Sequence, residues 1–233
     1  MIISHSHRFI FIKSEKTAGT SVEAALSMHC SGDDIVVPIN DFRHNRTEQG
    51  EFIHHSMNAD EEYRRIGQHV DAATIRRKVT PEVWNGYFKF SMVRNPWERT
   101  LSDFFWKWRA NPAIKPKKQF YHYLGIPFNE ISRQKVLFSE FLKSEEFVNN
   151  DRFYILDDEL CVDFVIRYEN LVEDVAEACR KIDLPQLEIP RLKTGFRKKK
   201  YHYSAYYDDA SKEIVANKHH HDIRLFGYDF EQV

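Results

Sequence analysis

Residues 9–21, Phe9-Ile10-Phe11-Ile12-Lys13-Ser14-Glu15-Lys16-Thr17-Ala18-Gly19-Thr20-Ser21, constrain the fold more than any other stretch of this chain. A short run of aromatic and β-branched residues predicts a strand, which breaks into a loop of small residues. A helical pattern then resumes, with Val22, Ala25 and Leu26 on one face. Such a strand–loop–helix aims backbone N–H groups and the positive end of a helix dipole at whatever lies in front of it. Gly19 lets the backbone approach closely, Thr17, Thr20 and Ser21 offer hydroxyls, and Lys16 adds a cation. Together they read as a receptor for a phosphate-like anion, although an ordinary βα turn also favours small polar residues. The loop does not follow the Walker A order, in which lysine comes after the second glycine and directly before Ser or Thr. Here Lys16 precedes the small residues, and the loop holds one glycine.

A second strand is predicted at Phe88–Val93, running into Arg94-Asn95-Pro96-Trp97. Asn95 suits the N-cap of the next helix and Pro96 its first turn. Trp97, Leu101, Phe104, Phe105 and Trp108 then recur on one helical face. Arg94 leaves the C-terminal end of a strand, where open α/β sheets bind ligands, and its guanidinium is a planar fork for a phosphate. Ser102 lies about two turns into the helix. An arginine at a sheet edge and a solvent-facing serine would give the same letters.

The rest of the chain alternates between strands and helices. Residues 31–57 are polar and without period, a surface excursion. Asp60–Val79 is helical in part, with Asp71 as a cap. Phe138–Phe147 reads as a short amphipathic helix, Phe153–Leu156 and Cys161–Tyr168 as strands, and Asn170–Ile182 as a helix with Leu171, Val175, Ala178, Cys179 and Ile182 inward. A basic run spans Arg191–Lys200, Asp209–His221 is a last helix, and Ile223–Phe230 is an aromatic tail that docks on the body. This alternation predicts a parallel α/β sheet, and 233 residues fit one domain, 1–233.

Composition narrows the function. With 34 Lys+Arg against 35 Asp+Glu the chain is nearly neutral, so anion binding must come from local clusters and nucleic-acid coating is not expected. The three cysteines, Cys30, Cys161 and Cys179, have no close pair, which argues against a disulfide framework and for a reducing compartment. No membrane-span-length apolar stretch and no signal-peptide pattern occur, so the expectation is a cytoplasmic protein. His219-His220-His221 point in different directions on a helix and read as surface histidines rather than metal ligands.

The order Lys16-Thr17-Ala18-Gly19-Thr20-Ser21 after a strand resembles the sulfotransferase loop that holds the 5′-phosphosulfate of PAPS (3′-phosphoadenosine 5′-phosphosulfate). Phe90-Ser91-Met92-Val93-Arg94-Asn95-Pro96-Trp97-Glu98-Arg99-Thr100-Leu101-Ser102 is similar to that family's 3′-phosphate segment, in its Arg, its Asn-Pro and its Ser eight residues on. The resemblance is closest to the carbohydrate, uronosyl/heparan-type enzymes, and is sharp in these two segments and loose elsewhere. It implies a P-loop-like α/β fold, PAPS as donor with PAP as product, no required metal, and a saccharide or similar hydroxyl as acceptor.

It further implies that Lys16 acts at the leaving group, that Thr20 and Ser21 hold the 5′-phosphate, and that Arg94 and Ser102 hold the 3′-phosphate. Tyr168, in Ile166-Arg167-Tyr168-Glu169-Asn170-Leu171, is similar to the aromatic that contacts adenine. Otherwise it is a strand-end tyrosine tied to a neighbouring carbonyl. Arg197 and Lys198 fall in a run resembling the late basic loop over the 3′-phosphate. His69, in Gly67-Gln68-His69-Val70, matches the stretch with the histidine base. His54, His55, Glu23 and Glu62 are further candidates for that base, and a capping or core histidine is the bland reading of His69. A nucleotide-dependent kinase and a non-catalytic nucleotide-binding scaffold are the rival functions.

Overall fold

The computed structural model describes residues 1–37, 58–108, 130–192 and 201–230. The chain forms two compact units, one from Met1–Arg94 and Asn150–Thr194, the other from Asn95–Asn149 and Gly195–Val233.

The first unit is built on a five-stranded sheet. In chain order its strands are β1 (Ile2–Ser4), β2 (Phe9–Ile12), β3 (Ile35–Val36), β4 (Phe88–Val93) and, after a separate hairpin of β5 (Ile155–Leu156) and β6 (Glu159–Leu160), β7 (Phe164–Arg167). The spatial order is β3-β1-β2-β4-β7. Strands β2, β4 and β7 run parallel, as the alternating pattern predicts. The sheet as a whole is mixed, however, because β1 pairs antiparallel with both β2 and β3. A four-residue turn joins β1 directly to β2, too short for the crossover that a parallel pair requires. Strand β3 lies inside the stretch whose letters read as a structureless excursion; most of that excursion, residues 38–57, falls outside the described residues.

Strands β2 and β4 are buried along almost their whole length, the mark of a sheet covered on both faces. On one face the core joins Phe9, Phe11, Phe90, Met92 and Ile166 to Val22 and Leu26 of α1 (Gly19–Ser27). Val175, Ala178, Cys179 and Ile182 complete it from the helix predicted there. Among the described residues, three short helices lie between β3 and β4: α2 (Glu61–Ile66), α3 (Ala72–Lys78) and α4 (Pro81–Gly86). Each opens on a capped end, with Asp60, Asp71 and Thr80 accepting from the N–H three residues on.

The second unit is helical. Helix α5 (Pro96–Lys107) starts on the Asn95 side chain, which accepts from the N–H groups of Trp97 and Glu98. It packs with α6 (Glu130–Leu142), which begins earlier than the sequence pattern predicts. Back in the first unit α7 (Leu171–Lys181) follows β7, and α8 (Asp209–Lys218) and α9 (His220–Phe226) complete the second unit. The predicted last helix is therefore broken at His219, and part of the predicted tail is helical. The tail's end does dock within its own unit, where the Phe230 ring meets those of Trp97, Tyr203 and Tyr207. No helix among the described residues is long and apolar enough to cross a membrane.

Candidate functional site

Strand register decides which residues can meet. Ile12 pairs with Ser91 and Val93 with Arg167, so β2, β4 and β7 deliver their next residues to one edge of the sheet. That edge lies at the carboxyl ends of parallel strands, where ligands sit in open α/β sheets. Arg94 directly follows β4 and donates from Nη1 to the Lys16 carbonyl at 3.2 Å. Its guanidinium carbon lies 3.9 Å from the centre of the ring of Tyr168, the residue directly after β7. Three of the sequence-predicted positions, from three separate loops, therefore converge at Lys16, Arg94 and Tyr168.

The loop after β2 is shaped for an anion. Lys16 and Ala18 have φ of 64° and 66°, with Thr17 between them on the negative side. Alternation of hand points successive backbone N–H groups into one concavity, the geometry of an anion nest. No side chain caps α1, whose Ala18 N-cap brings its N-terminal dipole end to the same loop. Thr17 is fully buried, and its hydroxyl lies 2.9 Å from that of Ser14, which in turn donates to the Met92 carbonyl at 2.5 Å. Ser21 is buried too, and its hydroxyl accepts from the Leu192 N–H at 3.2 Å. These hydroxyls brace the loop, while Lys16, Ala18 and Thr20 retain exposed surface.

Several braces had no sequence signal. The Asn150 amide donates to the Glu15 carbonyl at 2.9 Å, and Arg152 pairs with the Glu15 carboxylate at 2.6 Å. Beneath the loop, Lys13 and Glu23 form an ion pair with both side chains fully buried, and the Met1 amine reaches the same carboxylate. Burial pulls the Lys13 ammonium below its ordinary pKa, against the pull of Glu23. The Lys13 stem lies so close to Gly19 that a Cβ there would stand 2.6 Å from Lys13 Cγ. Glycine is thus required at 19 by this lysine, in addition to any ligand.

His69 stands on the same residue. Its Nδ1 lies 3.1 Å from the Lys13 carbonyl, and the neighbouring Gln68 side chain accepts from Lys13 Nζ at 3.4 Å. A carbonyl only accepts, so Nδ1 carries the proton and Nε2 keeps its lone pair. Burial, with the Lys13 cation beside it, lowers the imidazole pKa to about 3. His69 is therefore neutral at physiological pH.

The two carboxylates with a claim to the base's role are engaged elsewhere. Glu23 is in the buried pair, and Glu62 is tied to Arg77 and Lys78 at 2.7 and 2.8 Å. His54 and His55 lie outside the described residues, as do Arg197 and Lys198. Ser102 sits on α5, half-buried, in the second unit.

The histidine run corrects one reading. His219 is fully buried rather than on the surface, with Nδ1 3.0 Å from Asp222 and Nε2 3.3 Å from Arg99 and 3.4 Å from Thr100. Those partners are themselves 0–2% exposed. The array has the connectivity of a hydrolytic triad with none of its access, and serves as a polar core of the helical unit.

A model of the sulfotransferase family matches residues 1–229. An uncharacterized protein of Archaeoglobus fulgidus is 28% identical over 121 residues, covering 52% of this chain and 88% of its own length. A solved sulfotransferase from Alicyclobacillus acidocaldarius aligns over 96% of each chain at 15% identity and a TM-score of 0.38, too loose a likeness to bear on the site. The family match runs from the first strand through the helical unit and nearly to the end of the aromatic tail, and the chain belongs to the sulfotransferase family.

Proposed function

We propose that this protein transfers the sulfuryl group of PAPS to a hydroxyl of a saccharide or similar acceptor. The observation that carries the reading is the hydrogen bond from Arg94 to the Lys16 carbonyl, which joins the two segments assigned to opposite ends of the nucleotide. The nest at residues 16–18 fits a 5′-phosphosulfate, and the Arg94 guanidinium offers the fork that a 3′-phosphate takes. PAPS supplies the activated sulfuryl group, and its cleavage leaves negative charge on the 5′-phosphate.

The chain's part is positioning and charge, by analogy with phosphoryl transfer. The Lys16 ammonium meets charge developing on the leaving oxygen, where stabilisation counts most. The loop N–H groups and Thr20 fix the donor. His69 takes the acceptor's proton at Nε2, since Nδ1 is committed to the Lys13 carbonyl, with the anionic donor in front of the loop offsetting the burial and the Lys13 cation that lower its basicity. A carbohydrate acceptor follows from the family resemblance of the two segments.

Calorimetry with PAP against ATP–Mg tests the donor site, and sulfate transfer to a glycan panel tests turnover. PAP is expected to bind and ATP–Mg to bind far more weakly; the reverse order would refute the assignment. Lys16→Ala should lower transfer by at least about a hundredfold with little change in thermal stability, because the proposal assigns its ammonium to the leaving group. Near-normal turnover in that variant removes Lys16 from the leaving group.

A further inference from the structure

Tyr168 is set by the chain's own backbone. It opens a single 3-10 turn directly after β7, and the strand end is pinned by the Arg167 N–H, which donates to the Asp174 carboxylate at 2.7 Å. Its ring lies under the Arg94 guanidinium at 3.9 Å, well inside the range of a cation–π contact. Arg94 is thus held between a ring face and a backbone carbonyl, the first from the loop after β7 and the second from the loop after β2. A long, flexible side chain loses most of its freedom in such a clamp, and a preorganised fork binds its anion more tightly than a mobile one.

We propose that Tyr168 is a positioning residue for Arg94, setting how strongly the site prefers nucleotides that carry a 3′-phosphate. This rests on the reading of Arg94 as the 3′-phosphate ligand. It gives Tyr168 a different task from the adenine contact implied by the family resemblance. A ring that holds the arginine should act on the 3′-phosphate alone, whereas a ring that holds the base should act on every adenine nucleotide equally.

The ratio of affinities for PAP and AMP separates the two, because these ligands share the adenine and the 5′-phosphate and differ in the 3′-phosphate. Tyr168→Phe keeps the ring and should keep the wild-type ratio. Tyr168→Leu removes the ring and should cut the ratio by about 3- to 30-fold, the range a cation–π contact spans, with AMP affinity changed less than about twofold. A leucine variant that weakens both ligands equally, or leaves the ratio intact, overturns the proposal.

Should the leucine variant not fold, Tyr168→Met gives the same decision with a flexible apolar side chain: its ratio should fall by about 3- to 30-fold with AMP affinity changed less than about twofold, and an unchanged ratio or an equal loss for both ligands overturns the proposal. Arg94→Ala is the separate control on the underlying reading. If it leaves the PAP-to-AMP ratio unchanged, Arg94 does not take the 3′-phosphate, whatever Tyr168 does.

Discussion

Gly19 shows how little room the loop has at the scale of one residue. A methyl group at this position would meet Lys13 Cγ at 2.6 Å and Cδ at 3.2 Å. The lysine cannot swing aside cheaply, because its stem is enclosed and its ammonium is committed to Glu23. Gly19→Ala is therefore expected to cost about 1–3 kcal/mol by overpacking, read as a lower urea midpoint with an unchanged slope. A variant as stable as wild type would mean that the lysine stem is not held. The sequence marks the glycine but not its neighbour. Lys13 and Glu23 stand ten residues apart on different elements, and nothing in their spacing distinguishes a buried pair from two solvated charges. Burial of charge is decided by tertiary placement, and so are the hydrogen bonds by which Thr17 and Ser21 brace the loop.

Elements announce themselves when a local rule fixes both ends. The Asn95 cap, the Asp71 cap and the buried strands β2 and β4 were legible because capping and apolar runs need only nearby residues. In the segment after residue 150 the two predicted strands contain Ile155–Leu156 and Phe164–Arg167, but one pairs within a hairpin and the other within the sheet, and the letters alone do not say with whom. The hairpin turn itself is unusual. Asp157 and Asp158 have φ of 54° and 62°, the paired left-handed conformations of a type I′ turn, which glycine adopts at lower cost. Asp158, on the surface, carries that strain, whereas Asp157 also pairs with Arg76 at 3.5 Å. Asp158→Gly should stabilise the protein by about 1 kcal/mol, a rise of roughly 2–4 °C in Tm for a chain of this size. A lower Tm would show that the turn is not held in that form.

At the scale of the molecule, near-neutral net charge conceals ionisable groups buried in the first unit, and these couple stability to pH. His69 titrates at about 3 in the folded chain against about 6.5 when unfolded, because burial and the Lys13 cation oppose its protonation. The unfolded state therefore binds more protons between those values, and stability must rise with pH across the window. Its contribution is complete above about pH 6.5 and is lost progressively as pH falls toward about 3. Between about pH 6.5 and 5 carboxylates remain largely ionised in both states, so the histidine's share can be separated by comparison with His69→Asn, which keeps an amide donor for the Lys13 carbonyl and cannot titrate. Wild type should lose roughly 1–2 kcal/mol more than the variant over that interval, the lower end reflecting the solvent-exposed edge of the ring. Parallel stability curves for the two proteins would place His69 in water rather than against Lys13, and with it would go the assignment of Nε2 as the nitrogen that faces the acceptor.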